Sequence, residues 1–270
     1  MTMTKIYAMV GKGGVGKTTL AVELACEIKK KTDSVCIIGL DRQHNAADVL
    51  KEKKVQIDYH GLFQFDKVGE LAGFIVDNTF LKGYKEFVPI VAPDFLTICA
   101  LAECFHDFYG KYEYIIIDFP PNHAALYMLN LPNVLNSIMY KALSLKGRIK
   151  KMVKGNDGVM DGIEHLETVI KEFKTHLKEI NFCPIMTPTR LSFIEGKKLV
   201  DFLHEQDLKI LCLLLNFMPI YQVGCPSCGS RKYHSQPVID EMVDYSHDEK
   251  LKLVGIIEHH ISGLGQILEW

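Results

Sequence analysis

The sequence predicts an α/β fold in which a doubly wound, mostly parallel β-sheet is covered by helices on both faces. Short apolar runs alternate with segments of helical periodicity along most of the 270 residues, and continuous apolar strands separated by helices are typical of buried parallel sheets. We expect strands at Lys5–Val10, Ser34–Leu40, Phe87–Val91, Tyr112–Ile117, Phe182–Met186, Lys209–Leu215 and Lys252–Ile257. Such folds bind ligands at the carboxyl ends of their strands.

A glycine-rich loop directly follows the first predicted strand. The pattern G-x-x-x-x-G-K-[ST] is matched by Gly11, Lys12, Gly13, Gly14, Val15, Gly16, Lys17 and Thr18. In this pattern backbone N–H groups and a helix N-terminus bind phosphates, the lysine reaches the β- and γ-phosphates, and the hydroxyl group binds Mg²⁺. The sequence therefore predicts a P-loop nucleotide hydrolase whose site extends to Thr19, with ATP and Mg²⁺ as ligands and Thr18 on the metal.

Two aspartates stand at the ends of predicted strands. Asp118 follows an apolar run in the manner of a Walker B strand, whose aspartate holds Mg²⁺ through water. Asp41 ends the second predicted strand, where a carboxylate can orient or deprotonate the attacking water. The alternative for each is a helix N-cap, a position that aspartate also favours.

The region 124–180 interrupts the alternation because it contains no strand candidate. Apolar residues recur there three and four positions apart, which predicts two amphipathic helices. These residues are Leu135, Ile138, Ala142, Leu145, Ile149 and Met152, then Ile163, Leu166, Ile170, Phe173, Leu177 and Ile180. We therefore expect a nucleotide-hydrolase domain at 1–123 and 181–270, an inserted α-helical subdomain at 124–180, and a minor insertion at 49–83.

Charge and hydropathy exclude several kinds of protein. The formal net charge is −2, from 31 basic and 33 acidic residues, so we expect no nucleic-acid partner. No apolar run approaches the roughly 20 residues of a membrane-spanning helix, and the N-terminus lacks the apolar core of a signal peptide. These features predict a cytoplasmic protein.

Two cysteines, Cys225 and Cys228, have the Cys-x-x-Cys spacing of a zinc knuckle. One pair supplies two of the four ligands that structural Zn²⁺ requires, so a two-fold axis between two chains would complete the site. A redox dithiol is the alternative. The other cysteines lie singly in apolar stretches and are expected to be small buried hydrophobic residues; they are Cys26, Cys36, Cys99, Cys104, Cys183 and Cys212.

Several of these motifs together resemble one ATPase family. Lys12 in the P-loop, Asp41-x-x-His44-Asn45 and Asp118-Phe-Pro-Pro-Asn-His123 are similar to the deviant Walker A loop and the switches of the arsenical-pump and tail-anchored-protein-targeting (guided entry) ATPases. The resemblance spans nearly the whole chain, which looks like a compact member of that family. The departures are Arg42-Gln43 for Pro-Ala, Phe119 for a small polar residue, and Thr189 for a glutamate.

That resemblance implies roles for particular residues. Lys12 would cross a dimer interface to the partner's nucleotide and act in catalysis with Asp41, and Asn216 would read the adenine edge. The loop Gly255–Ser262, with Ile257 and Glu258, would close over the base. The zinc pair would be shared across the dimer, as in the targeting branch.

The resemblance favours one function and leaves two alternatives open. The first is an ATP-hydrolysing, homodimeric targeting factor that binds the hydrophobic transmembrane segments of tail-anchored proteins and delivers them to a membrane. A membrane receptor would be a further partner. The client groove of the targeting factor would contain Ile138, Met139, Ala142, Leu145, Ile149 and Met152, although these residues could equally pack on the rest of the protein. The alternatives are an arsenite or anion-pump ATPase subunit, and a partitioning or metal-insertion ATPase switch.

Overall fold

A seven-stranded β-sheet forms the core of the first of two units into which the chain divides. The computed structural model describes residues 4–40, 45–61, 101–121, 130, 168–169, 171–220, 226–257 and 264–269. The first unit comprises Met1–Gly61, Gly110–Ala125 and Lys178–Trp270, and the second comprises Leu62–Tyr109 and Leu126–Leu177.

The sheet is parallel throughout. Its strands are β1 (Lys5–Gly11), β2 (Val35–Gly39), β3 (Asp58–Gly61), β4 (Tyr114–Asp118), β5 (Ile180–Met186), β6 (Leu213–Met218) and β7 (Leu253–Ile257). They lie in the order β3-β2-β4-β1-β5-β6-β7, and each neighbouring pair is parallel. The P-loop strand β1 is therefore central, and the predicted doubly wound α/β fold is confirmed.

Helices cover both faces of this sheet. They are α1 (Lys17–Lys29), α2 (Asn45–Lys53), α3 (Arg190–Glu205) and α4 (Pro226–Asp248), with 3₁₀ turns at Leu177–Glu179 and Leu264–Glu269. Successive residues of a strand point to opposite faces. In β6, Leu214 belongs to the hydrophobic cluster that includes residues of α1 and α2, whereas Leu213 and Leu215 belong to the cluster that includes residues of α3 and α4. The hydrophobic core consequently has two layers.

One strand, β3, was not predicted from the sequence. The edge strand β3 lies inside the region 49–83 that we expected to be a minor insertion. Its residues Asp58 and Gly61 pair with Cys36 and Gly39 of β2. The segment lacks an apolar run because an edge strand has one neighbour and is less buried. The expected strand Phe87–Val91 lies outside the described residues.

The division into units also differs from the expected domain bounds. Residues up to Gly61 belong with the sheet, whereas residues 84–109, expected in the nucleotide domain, belong with the second unit. Ile180, which we assigned to a helical stripe, is the first residue of β5. A β-branched residue at the end of an apolar series fits both patterns, so periodicity alone misplaced this boundary.

Two helical segments of the second unit pack together. Residues 101–108 and 171–176 are helical, and the rings of Phe105 and Phe173 meet edge to face with centroids 5.1 Å apart. His106 and Glu172 approach to 2.7 Å. The hydrogen bond to Glu172 raises the pKa of His106. Phe173 and Leu177 are buried, in agreement with the predicted apolar stripe.

Among the helices in the described part of the chain, none combines the length and the apolar character needed to cross a bilayer.

Candidate functional site

The P-loop begins at the carboxyl end of β1, where it is held against β5. A Cβ atom on Gly11 would lie 2.5 Å from the carbonyl oxygen of Ile185, so a larger residue would push the loop away from the sheet. β5 runs beside β1 in parallel register, with Gly11 opposite Ile185. The close approach of the two backbones explains the first glycine of the motif.

The loop ends at Gly16, the N-cap of α1. Gly16 has a left-handed backbone conformation (φ 89°), and its position provides no side-chain cap for the helix. A side chain at Gly16 would collide with the amide of Asn216. The first N–H groups of α1 therefore face the loop without a capping side chain, and such groups bind anions.

Lys17 is directed back over the loop. Its side chain is only 8% exposed, and Nζ donates a hydrogen bond to the carbonyl oxygen of Lys12 at 2.9 Å. This contact holds a cation above the backbone N–H groups that would receive phosphates. Thr18 is half-buried and Thr19 is exposed, so the hydroxyl predicted to bind Mg²⁺ stands at the edge of the same loop.

Asp118 ends β4 next to the P-loop strand. The register places Asp118 beside Met9 of β1, and Met9 precedes Gly11 by two residues. Asp118 is 2% exposed. The N–H of Phe119 donates to the carbonyl oxygen of Met9 at 3.2 Å. The structure thus brings the predicted Mg²⁺-binding carboxylate and the phosphate loop to one edge of the sheet.

Asn216 of β6 also contacts the P-loop. It is 6% exposed, and Nδ2 donates to the carbonyl oxygen of Val15 at 2.9 Å. Because this hydrogen bond fixes both the amide and the loop, Asn216 has a structural role here besides any contact with a base.

The start of α3 forms a further side of the site. Thr189 is the N-cap of α3, and its side chain accepts a hydrogen bond from the N–H of Ser192. The N–H of Thr187 donates to the hydroxyl of Ser192 at 2.9 Å. Thr189, which replaces the glutamate of the resembling family, therefore caps a helix, and Glu195 on the next turns forms an ion pair with Lys12.

Sequence reasoning missed two features of this site. The ion pair between Lys12 and Glu195 joins residues far apart in the sequence, and no local motif announces it. Phe217, beside Asn216, has a positive φ of 58°, a conformation that sequence signals associate with glycine or asparagine rather than phenylalanine.

Several predicted site residues lie outside the described part of the chain. These are Asp41, Glu258, Cys225 and the groove residues Ile138, Met139, Ala142, Leu145, Ile149 and Met152. The backbones of Ile257 and Cys228 are described, at the end of β7 and in the first turn of α4. Within the described residues, no group of three or more His, Cys, Asp or Glu side chains is placed to hold a metal ion.

Comparison with protein families identifies the class to which this site belongs. The model of the anion-transporting ATPase family matches residues 93–270, which is more than half of the chain. The chain belongs to this family. A model described as an AAA domain matches residues 3–181, so the P-loop half is also recognised.

Proteins similar to this member of the anion-transporting ATPase family are themselves named ATPases. The ATPase ASNA1 homolog of Dictyostelium discoideum is 23% identical, covering 94% of this chain and 84% of that protein. ATPase ASNA1 homolog 2 of Paramecium tetraurelia is 24% identical, with 94% and 88% covered. ATPase GET3 of Pyricularia oryzae is 25% identical, with 92% and 84% covered. The protein is accordingly an ATPase.

The residues present fit the nucleotide and Mg²⁺ that this family uses. The side-chain-free turn at Gly16 leaves room for phosphate oxygens, and Lys17 and the N-terminus of α1 supply positive charge. Thr18 and Asp118 are the residues that would hold Mg²⁺, which neutralises charge on the phosphates when bound. The chain's own contribution is to position these groups before the nucleotide arrives.

Proposed function

We propose that this ATPase is a cytoplasmic, homodimeric targeting factor that binds the hydrophobic transmembrane segments of tail-anchored proteins and delivers them to a membrane. In this proposal two chains close around ATP, and Lys12 of each chain reaches the nucleotide of the other. A membrane receptor would accept the complex.

The contrast between the two lysines of the P-loop carries the dimer part of this proposal. Lys17 is buried over its own loop, whereas the side chain of Lys12 is 33% exposed. Gly13 and Gly14, which follow Lys12, are exposed. Lys17 is thus buried against its own loop, whereas Lys12 lies on the solvent-exposed side of the loop, where a second chain can approach. A second cation at the phosphates offsets charge that develops during phosphoryl transfer.

The ligand count of the cysteine pair supports the same two-fold arrangement. The backbone of Cys228 lies in the first turn of α4, and the thiolate is the form of cysteine that binds metal. One pair supplies two ligands, and two chains supply the four of a tetrahedral Zn²⁺ site. The proposed zinc therefore belongs to the dimer rather than to one chain.

Mass and zinc content of the purified protein test the dimer. We expect two chains per particle and one zinc per two chains, and loss of zinc in Cys225→Ser and Cys228→Ser. Cys212→Ser is the matched control, since Cys212 is a buried cysteine of the sheet region. A monomer, or zinc bound in a one-to-one ratio with the chain, would contradict the shared site.

Co-purification with transmembrane segments tests the client. The proposal places the clients on the predicted apolar stripe, where flexible methionines such as Met139 and Met152 suit varied sequences. A tail-anchored segment co-expressed with the protein should co-purify, and aspartate at Ile138, Met139 and Leu145 should abolish this. Absence of co-purification with a zinc-bound dimer present would reject the client and keep the dimer.

An anion-pump subunit is the second candidate, favoured by the description of the family as anion-transporting. Arsenite binds soft thiolates, whereas four of the described cysteines outside α4 are fully buried: Cys36, Cys104, Cys183 and Cys212. Stimulation of ATP hydrolysis by arsenite would favour this candidate, and unchanged turnover would reject it.

A further inference from the structure

Phe217 has a backbone conformation that is unusual for a residue within a strand. Among the described residues, the non-glycine residues with positive φ are Lys54, Asp207, Phe217 and Lys250. Three of them follow the ends of α2, α3 and α4, and a left-handed residue commonly ends a helix. Phe217 is different, because it lies within β6, and left-handed aromatic residues in strands are rare.

The conformation coincides with a β-bulge. Leu215 pairs with Gly255 and Met218 pairs with Ile257, so β6 contains one residue more than β7 between these positions. A bulge redirects the side chain that it contains and is frequent beside active sites. The irregularity therefore turns the side chain of Phe217 out of the alternation of the strand.

The ring of Phe217 is turned toward the P-loop and remains exposed. Its Cζ lies 3.6 Å from the point where a Cβ of Gly16 would stand, and the side chain is 41% exposed. The preceding residue, Asn216, donates its hydrogen bond to Val15 of the same loop. Phe217 also lines a cavity of about 760 Å³ that reaches Gly14.

A ligand that packs on the exposed ring of Phe217 would account for its unfavourable backbone conformation beside the phosphate loop. Unfavourable backbone conformations persist where the surrounding structure enforces them, and they cluster at ligand sites. A ring packs well against another flat π-system. The nucleobase is the flat part of the nucleotide, and phosphates bound at the P-loop would leave it within reach of the Phe217 ring, which lies beside Gly16.

We propose that Phe217 stacks on the base of the bound nucleotide and selects ligands that carry one. The inference rests on the ATPase activity and is independent of the targeting role. Stacking of a base on an aromatic side chain changes affinity by at least about fivefold. Removing the ring should therefore weaken ATP binding and leave binding of a base-free triphosphate unchanged.

Calorimetry with two ligands tests this directly. In the presence of Mg²⁺, Phe217→Leu should weaken binding of ATP at least about fivefold, with tripolyphosphate bound as in the unchanged protein. Ile220→Ala is the control, since Ile220 is 62% exposed in the segment after β6; it should alter neither ligand. Equal weakening of both ligands would mean that the ring shapes the loop, and no weakening would mean that it makes no contact; either result overturns the proposal.

A fluorescent variant keeps the test valid if Phe217→Leu folds poorly. The chain contains a single tryptophan, Trp270, so Phe217→Trp in a Trp270→Phe background reports on one position. ATP should quench this tryptophan by stacking, and tripolyphosphate should not. Absence of quenching by saturating ATP, or equal quenching by both ligands, would overturn the proposal.

Discussion

The ammonium group of Lys12 lies 3.7 Å from a carboxylate oxygen of Glu195 on α3. The two side chains are 33% and 30% exposed, so water screens the pair and its contribution to stability is at most about 1 kcal/mol. Lys12 of the P-loop is thus paired with a helix of its own chain. If Lys12 serves a second chain, this ion pair must first open.

Glu195→Gln should strengthen ATP-dependent self-association, because it releases Lys12 without changing the shape of the helix surface. The gain is limited by the strength of an exposed ion pair, so we expect up to about a fivefold increase in the association constant. Sedimentation with ATP and Mg²⁺ measures it, and thermal unfolding should be nearly unchanged.

A double-mutant cycle with Lys12→Gln separates this effect from others. If Glu195 acts through Lys12, the Glu195→Gln substitution has no effect once Lys12 is neutral. Weaker association of Glu195→Gln would instead indicate that the carboxylate contacts the second chain. An unchanged association constant would show that the ion pair does not restrain Lys12.

Asp118→Asn should lower Mg²⁺-dependent ATP hydrolysis by about 10- to 100-fold, the usual cost of altering a residue that orients a metal. The amide preserves the size of the buried side chain and removes its charge, so the fold should persist by circular dichroism. Asp58→Asn is the control. Asp58 accepts a hydrogen bond from Tyr112 at 2.7 Å on the edge strand, and its loss should leave turnover unchanged. Equal turnover of both variants would remove Asp118 from the metal site.

Gly16→Ala should weaken ATP binding more than Gly14→Ala does. Both glycines have positive φ, 89° and 80°, so alanine strains either position by about 1–2 kcal/mol. A Cβ at Gly16 also collides with the amide of Asn216, whereas a Cβ at Gly14 has no described neighbour within 4 Å. The difference in ATP affinity by calorimetry isolates the collision. Equal losses would mean that Asn216 moves aside freely.

The central sheet and the P-loop could be predicted because their signals are local. Buried strands such as β4 are continuous apolar runs, and the glycines of the loop are spaced as the phosphates require. The edge strand β3 was missed because only one of its four residues, Gly61, is buried. A strand that is buried on both faces requires a continuous apolar run, whereas an exposed edge strand such as β3 does not.

The contacts that complete the site could not be predicted, because they depend on tertiary structure. The pairing of Lys12 with Glu195 depends on how α3 is oriented relative to the P-loop. The position of the ring of Phe217 depends on a one-residue shift between β6 and β7. Helix orientation and strand register depend on packing between segments that are distant in the sequence, so no local motif predicts either contact.

The buried cysteines of the sheet should resist alkylation in the native protein. Burial raises the pKa of the Cys36 thiol, and the hydrogen bond shared with Cys212 together with burial raises that of Cys183. Because the thiolate is the reactive form, and a raised pKa leaves little thiolate at pH 8, iodoacetamide should modify neither residue in the native protein. Peptide mass spectrometry should show both modified after unfolding in urea.

Cys26 provides the internal comparison, since it is half-buried on α1 and its pKa is raised chiefly by burial. It should react more slowly than an unfolded thiol and faster than Cys36 or Cys183, which are fully buried. Raising the pH from 8 to 9 should increase the labelling of Cys26 and leave the two buried thiols unmodified, because access as well as charge limits them. Labelling of Cys183 at the rate of Cys26 would show that the sheet opens locally in the native state.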